Sequence, residues 1–217
     1  WAGCRRLLPL PAAEPGAEVG RMPLAEVWRN AHLLLGLFTL TNLDVLLARL
    51  LFDAHASGLY AAGAILAKAC LFLPQFVIIV AFPQMARDQA DDAGDRAWLR
   101  PLALVGAIGA AVIAGTFVLR TLAVEFVGGS RYAELSDYIW WFAVEGTIFA
   151  LLQMVVYRQI ARHASAAVWW LWLAAISILA AGLIGVFARP TLLVGGMVAI
   201  SALATVLVAR TKPGVTR

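Results

Sequence analysis

Three ionisable residues stand inside otherwise apolar runs of this sequence: Asp44, Lys68 and Glu145. A charged side chain at the centre of a membrane helix costs about 2.5–3.5 kcal/mol on insertion scales, so each needs a partner or a task. A carboxylate in such a place can bind H⁺ or Na⁺, and an amine can draw in an anionic group. Polar neighbours accompany them. Thr41 precedes Asp44 by three positions on the same helical face, and Gln75 follows Lys68 by seven. Asn42 and Arg49 are also seven apart, on a different face, and Arg49 reads as snorkelling to the outer headgroups. Two roles stay open for the trio. One is a structural ion pair, Asp44 with Lys68, pinning the first hairpin. The other is a polar cavity in which Lys68 and Gln75 meet an anionic substrate while Asp44, Glu145, Asn42 and Thr41 handle a coupling cation. Gln153 reads either as a cavity residue or as a helix-to-helix hydrogen bond, and His32 and His163 read as interfacial.

Catalytic patterns are absent from the sequence. It contains no GxSxG, P-loop, HExxH or paired-cysteine zinc spacing. Cys4 and Cys70 are isolated thiols, and the acidic stretch Arg87 to Arg100 reads as a solvated connection. The expectation is therefore a non-enzyme with no metal and no cofactor beyond coupling H⁺ or Na⁺.

The elements that must position the trio follow from composition. Hydrophobic residues make up 62% of the 217 and charged residues 14%, against about 45–50% and about 25% in soluble domains. So much apolar surface has to face lipid, which excludes a soluble enzyme, a coiled coil and a disulfide-stapled secreted domain. A hydrocarbon core about 30 Å thick takes about 20 helical residues to cross. Six runs have that character: 30–51, 58–84, 100–122, 136–158, 166–188 and 190–209. Residues 1–29, rich in Pro, Ala, Gly and Glu, read as a cytoplasmic linker, and 211–217 as a cytoplasmic tail. The expected fold is an all-α membrane protein, a six-helix bundle over 30–210. At 1.5 Å per residue, Asp44, Lys68 and Glu145 all fall within roughly 3–5 Å of mid-span, toward the outer side. Pro101 and Pro190 suit first helical turns. Gly106, Ala110 and Ala114 on the third run, and Ala181 with Gly182 on the fifth, could serve close helix packing.

Lys and Arg set the orientation. With a cytoplasmic N-terminus, the inner segments hold Arg5, Arg6, Arg21, Arg29, Arg87, Arg96, Arg100, Arg158, Arg162, Arg210, Lys212 and Arg217. The outer side holds only Arg49, Arg120, Arg131 and Arg189. This bias fits the positive-inside rule with both termini cytoplasmic in the cell membrane. It explains the net charge of +4 without nucleic acid.

The first hairpin resembles a known family. Thr41-Asn42-Leu43-Asp44, then Arg49, Gly58-Leu59-Tyr60-Ala61-Ala62, Leu73-Pro74 and Phe82-Pro83 up to Arg87 are similar to lipid-linked polysaccharide flippases. These belong to the multidrug/oligosaccharidyl-lipid/polysaccharide exporter superfamily. The likeness covers residues 36–87 and is only architectural beyond. It implies the C-terminal lobe of a two-lobe carrier, working by alternating access on a polyprenyl-pyrophosphate-linked glycan. On that reading Lys68 holds the pyrophosphate, and Asp44, with Glu145 second, couples a cation. The partners implied are the bilayer, the lipid-linked oligosaccharide and a missing N-terminal lobe or partner chain. The chain, starting at Trp1, reads as part of a longer protein. Two other readings are a multidrug/cation antiporter of the same superfamily and a non-transporting membrane scaffold subunit. A membrane glycosyltransferase is disfavoured because the outer loops are short.

Overall fold

The computed structural model describes residues 24–72, 98–162 and 166–211. Among them every regular element is a helix: α1 Leu24–Leu51, α2 Ala54–Leu71, α3 Leu99–Val118, α4 Arg120–Val127, a 3₁₀ segment Ser130–Asp137, α5 Ile139–Ala161, α6 Ala167–Leu183 and α7 Pro190–Ala209. Of these, α1, α3, α5 and α7 are long and apolar enough to cross a bilayer, and α6 is a shorter apolar helix.

The termini of the helices follow local chemistry. The first helix starts at Leu24, inside the stretch read as linker. Leu24 to Asn30 follows Pro23 and contains neither Gly nor Pro, so nothing in it stops the helix, and Glu26 in the first turn suits the positive helix end. The turn after α1 is only Phe52-Asp53. There the Asp53 carboxylate accepts a hydrogen bond from the Ala56 N–H at 2.8 Å and caps α2, so α2 begins four residues before the expected 58.

The third run does not continue to 122. It ends at Val118, Leu119 leaves helical geometry, and α4 follows at once. The stretch between the third and fourth apolar runs, Ala123 to Leu135, is the rest of α4, the Gly128-Gly129 turn and most of the 3₁₀ segment. Residues 120–127 carry no breaker until Gly128-Gly129, and Val124 turns inward as its anchor. Gly129, at φ 74°, supplies the left-handed residue that redirects the chain. Likewise α6 ends at Leu183 and Gly185 (φ 80°) turns it, so the last hairpin is longer than Arg189-Pro190 alone. Pro190 opens α7 as its residue type requires.

α5 is the hub, packing against α2, α3 and α7, while α1 lies against α6 and α2. The burial figures agree: 72% of the α5 span is buried but only 22% of α3. α2 and α5 run parallel in a fixed register. His55 pairs with Glu134 just before α5, 79 positions apart. Gly63 faces Phe142, and Gly146 faces Ala67, at that same separation (142 − 63 and 146 − 67). A side chain at Gly63 or Gly146 would run into the Phe142 ring or the Ala67 backbone, so both glycines are required for this approach.

Candidate functional site

The α2–α5 register decides what meets at mid-span. Lys68, one residue beyond Ala67, reaches across to α1, where its Nζ lies 3.8 Å from Asp44 Oδ1. That is an ion-pair distance rather than a hydrogen bond. The same Nζ stands 5.6 Å from the centroid of the Phe149 ring on α5, a cation–π placement. Glu145 precedes Gly146 and is fully buried, within electrostatic reach of both Asp44 and Lys68. The three groups expected at one depth therefore share one cluster, contributed by α1, α2 and α5.

A fourth member was missed in the sequence. Tyr60 is fully buried, packs edge-on against Phe142 at 5.0 Å, and lies within electrostatic reach of Glu145 and Asp44. The signal for it was its place two turns before Lys68, near the same helical face. Tyr side chains usually sit at interfaces, so periodicity alone gave it no special weight.

The cluster is under-bonded. Both carboxylate oxygens of Asp44, both of Glu145, the Tyr60 hydroxyl and Lys68 Nζ are buried atoms without a hydrogen-bond partner. Native interiors rarely leave one such group, so their concentration here makes this the candidate site. Asp44 and Glu145 are sealed, whereas the Lys68 side chain is 26% exposed along its stem, with its Nζ buried.

Not every expected member comes to the cluster. Thr41 is buried but donates its hydroxyl to Leu37 O at 2.9 Å on its own helix. Asn42 faces outward and donates to Phe38 O at 2.7 Å. Thr and Asn so placed satisfy themselves on the preceding turn, and neither supplies a ligand to Asp44 or Glu145. Gln75 lies outside the described residues, as do Pro74 and His163. Gln153 does neither of the things expected, for its amide donates to the Tyr157 hydroxyl one turn on, at 2.7 Å. The interhelical bond is made instead by Gln159, whose amide donates to Val208 O on α7.

The small-residue stripe is also displaced. A Cβ on Gly106 would meet nothing within 4 Å, and Ala110 and Ala114 are exposed. The buried face of α3 is one register away, at Val105, Gly109 and Thr116, with Gly109 tight against Thr147 of α5. Gly182 does serve as expected, admitting Leu47 of α1. A shallow apolar cavity of about 110 Å³ between α6 and α7, lined by residues that include Trp170, Leu173, Ile200 and Leu207, lies apart from the charged cluster.

A bundle of helices of this length and apolarity, with ionisable groups gathered inside it, is a multi-pass all-α membrane protein. Comparison with models of protein families, with characterised proteins and with solved structures gives no match.

Proposed function

We propose that this protein is one lobe of a carrier that moves a polyprenyl-pyrophosphate-linked glycan across the cytoplasmic membrane. The observation carrying this reading is the Asp44–Lys68–Glu145–Tyr60 cluster, whose buried polar atoms lack partners and whose amine stands on a side chain that is itself partly exposed. A purely structural ion pair would be bonded to completion, since leaving such groups unmade in low dielectric is costly. Lys68 is the group for the pyrophosphate, and the two carboxylates handle the coupling ion. The sequence likeness of residues 36–87 to lipid-linked polysaccharide flippases favours the glycan over other amphiphiles. Six spans would make the lobe, with α6 spanning despite its length.

Asn42 supports a second lobe. It sits near mid-span of α1, exposed, where a carboxamide is costly against lipid. A covering lobe, or a water-filled cavity between lobes, removes that cost. The antiporter reading calls for a large apolar cavity that Lys68 does not face, and the placement of its amine beside Asp44, inside the charged cluster, weighs against that.

The test is glycan export in cells carrying the full-length protein. Lys68→Ala and Asp44→Ala should each abolish export while the protein still accumulates in the membrane. Undiminished export from both would reduce the cluster to architecture and leave the scaffold reading. Reporter fusions after Arg217 and within Arg87 to Arg100 should report cytoplasm. The outer reporter belongs at Asp53, in the short turn between α1 and α2.

A further inference from the structure

The cluster does not balance its charges. It holds two carboxylates, Asp44 and Glu145, and one ammonium, Lys68, so it is short of one positive charge when all three are ionised. Among the described residues the neighbouring elements do not supply it. From α2 the other titratable groups near α5 are Tyr60, Cys70 and, at the far end of the seam, His55 beside Glu134, and the other charge of α5, Arg158, is in its last turn. α6 and α7 contain no charged residue, and the one charge of α3, Arg100, is in its first turn at the inner end. α1 offers Asp44, with its remaining charged residues, Glu26, Arg29 and Arg49, in the end turns.

Geometry then separates the two acids. Asp44 has Lys68 at ion-pair distance, whereas Glu145 is sealed and has no ion-pair or hydrogen-bond partner at either oxygen. A lone ionised carboxylate in that setting is strongly disfavoured and is neutralised by a bound cation. A hard metal cation wants several oxygen ligands, and among the described residues no group of three or more acidic, His or Cys side chains could hold a metal. Thr41 and Asn42 are turned to their own backbone. A proton needs no such cage. We infer that the bundle carries one exchangeable proton on Glu145, beside an ionised Asp44–Lys68 pair, with the Tyr60 hydroxyl as a nearby polar group. This deepens the coupling half of the proposed function, naming the ion and moving its seat from α1 to α5. Movement of Lys68 toward an anionic substrate would leave Asp44 unbalanced and oblige the cluster to take up a second proton, which links substrate arrival to protonation.

Infrared spectroscopy of the purified full chain in lipid bilayers at neutral pH tests this directly. One protonated carboxylic acid per chain is expected, its band shifting when glutamate is isotope-labelled and staying fixed when aspartate is labelled. Absence of the band, or a shift with labelled aspartate, overturns the assignment. Glu145→Gln, which has the shape of the protonated acid, should remove the band. Lys68→Met should raise the count from one to two, and a count still at one overturns the charge-balance argument. Tyr60→Phe should move the band without abolishing it; an unmoved band removes Tyr60 from the site. The labelling result on the wild-type chain stands whether or not a variant folds. It is also separate from export: a protonated Glu145 alongside full export by Lys68→Ala would fail the glycan reading and leave this one standing.

Discussion

The α2–α5 seam and the α6–α7 pair are both helix contacts in an apolar chain, yet they are built to opposite specifications. Between α2 and α5, Gly63 makes room for the Phe142 ring and Gly146 lets its backbone close on that of Ala67. That closeness holds Tyr60, Lys68 and Glu145 in register beside Asp44. Between α6 and α7 no charged residue occurs, and an apolar cavity remains in the seam. Tight packing is thus spent where polar groups must be held at defined positions, because misplacing a charge in low dielectric costs far more than misplacing a methyl group. The α6–α7 contact has no such demand, and lipid can fill what side chains leave open.

Breaking the polar side of this contrast should give the largest effect. Lys68→Met strands the Asp44 carboxylate, and removal of one partner of a buried pair costs about 3–5 kcal/mol, with the lower end expected here because the Lys68 side chain is partly exposed. Reversible unfolding in mixed micelles or bicelles should show that loss, and a shift below half a kcal/mol would mean that the cluster is not dry. Gly146→Ala follows. Its Cβ meets the Ala67 backbone, which cannot swing away as a side chain can, so the overpacking cost is about 1–3 kcal/mol. Asp53→Ala removes the cap of α2 at a cost of about 1 kcal/mol. Gln159→Leu removes the interhelical bond to Val208 O, which still accepts from Thr211, so the cost stays at or below about 1 kcal/mol. Smallest of all is Gly106→Ala, on the open face of α3, which should be neutral or stabilise by up to about 1 kcal/mol through helix propensity. If Gly106→Ala proved as damaging as Gly146→Ala, another helix would have to cover α3 in the bilayer.

The residues differ in how much they disclose before folding. Asp44, Lys68 and Glu145 are legible because an ionisable residue in an apolar run is an anomaly in any conformation. Helical depth, set by a rise of 1.5 Å per residue, also placed them near one level. Tyr60 was not legible, since a tyrosine gains its meaning only from what surrounds its hydroxyl. Thr41 and Asn42 looked like ligands by spacing. Their local backbone bonds won, because a carbonyl one turn away is always in reach. The stripe Gly106-Ala110-Ala114 shows the same limit, as small residues permit close packing without saying which face receives it.

Composition and periodicity by themselves therefore fixed a helical membrane chain, its apolar runs and the three charges inside them, since lipid tolerates little else. Which helix faces which, and that Asp44 takes the amine while Glu145 is left alone, was decided only in three dimensions. Those outcomes depend on a few ångströms of approach between α2 and α5, and such distances belong to packed surfaces rather than to any single segment.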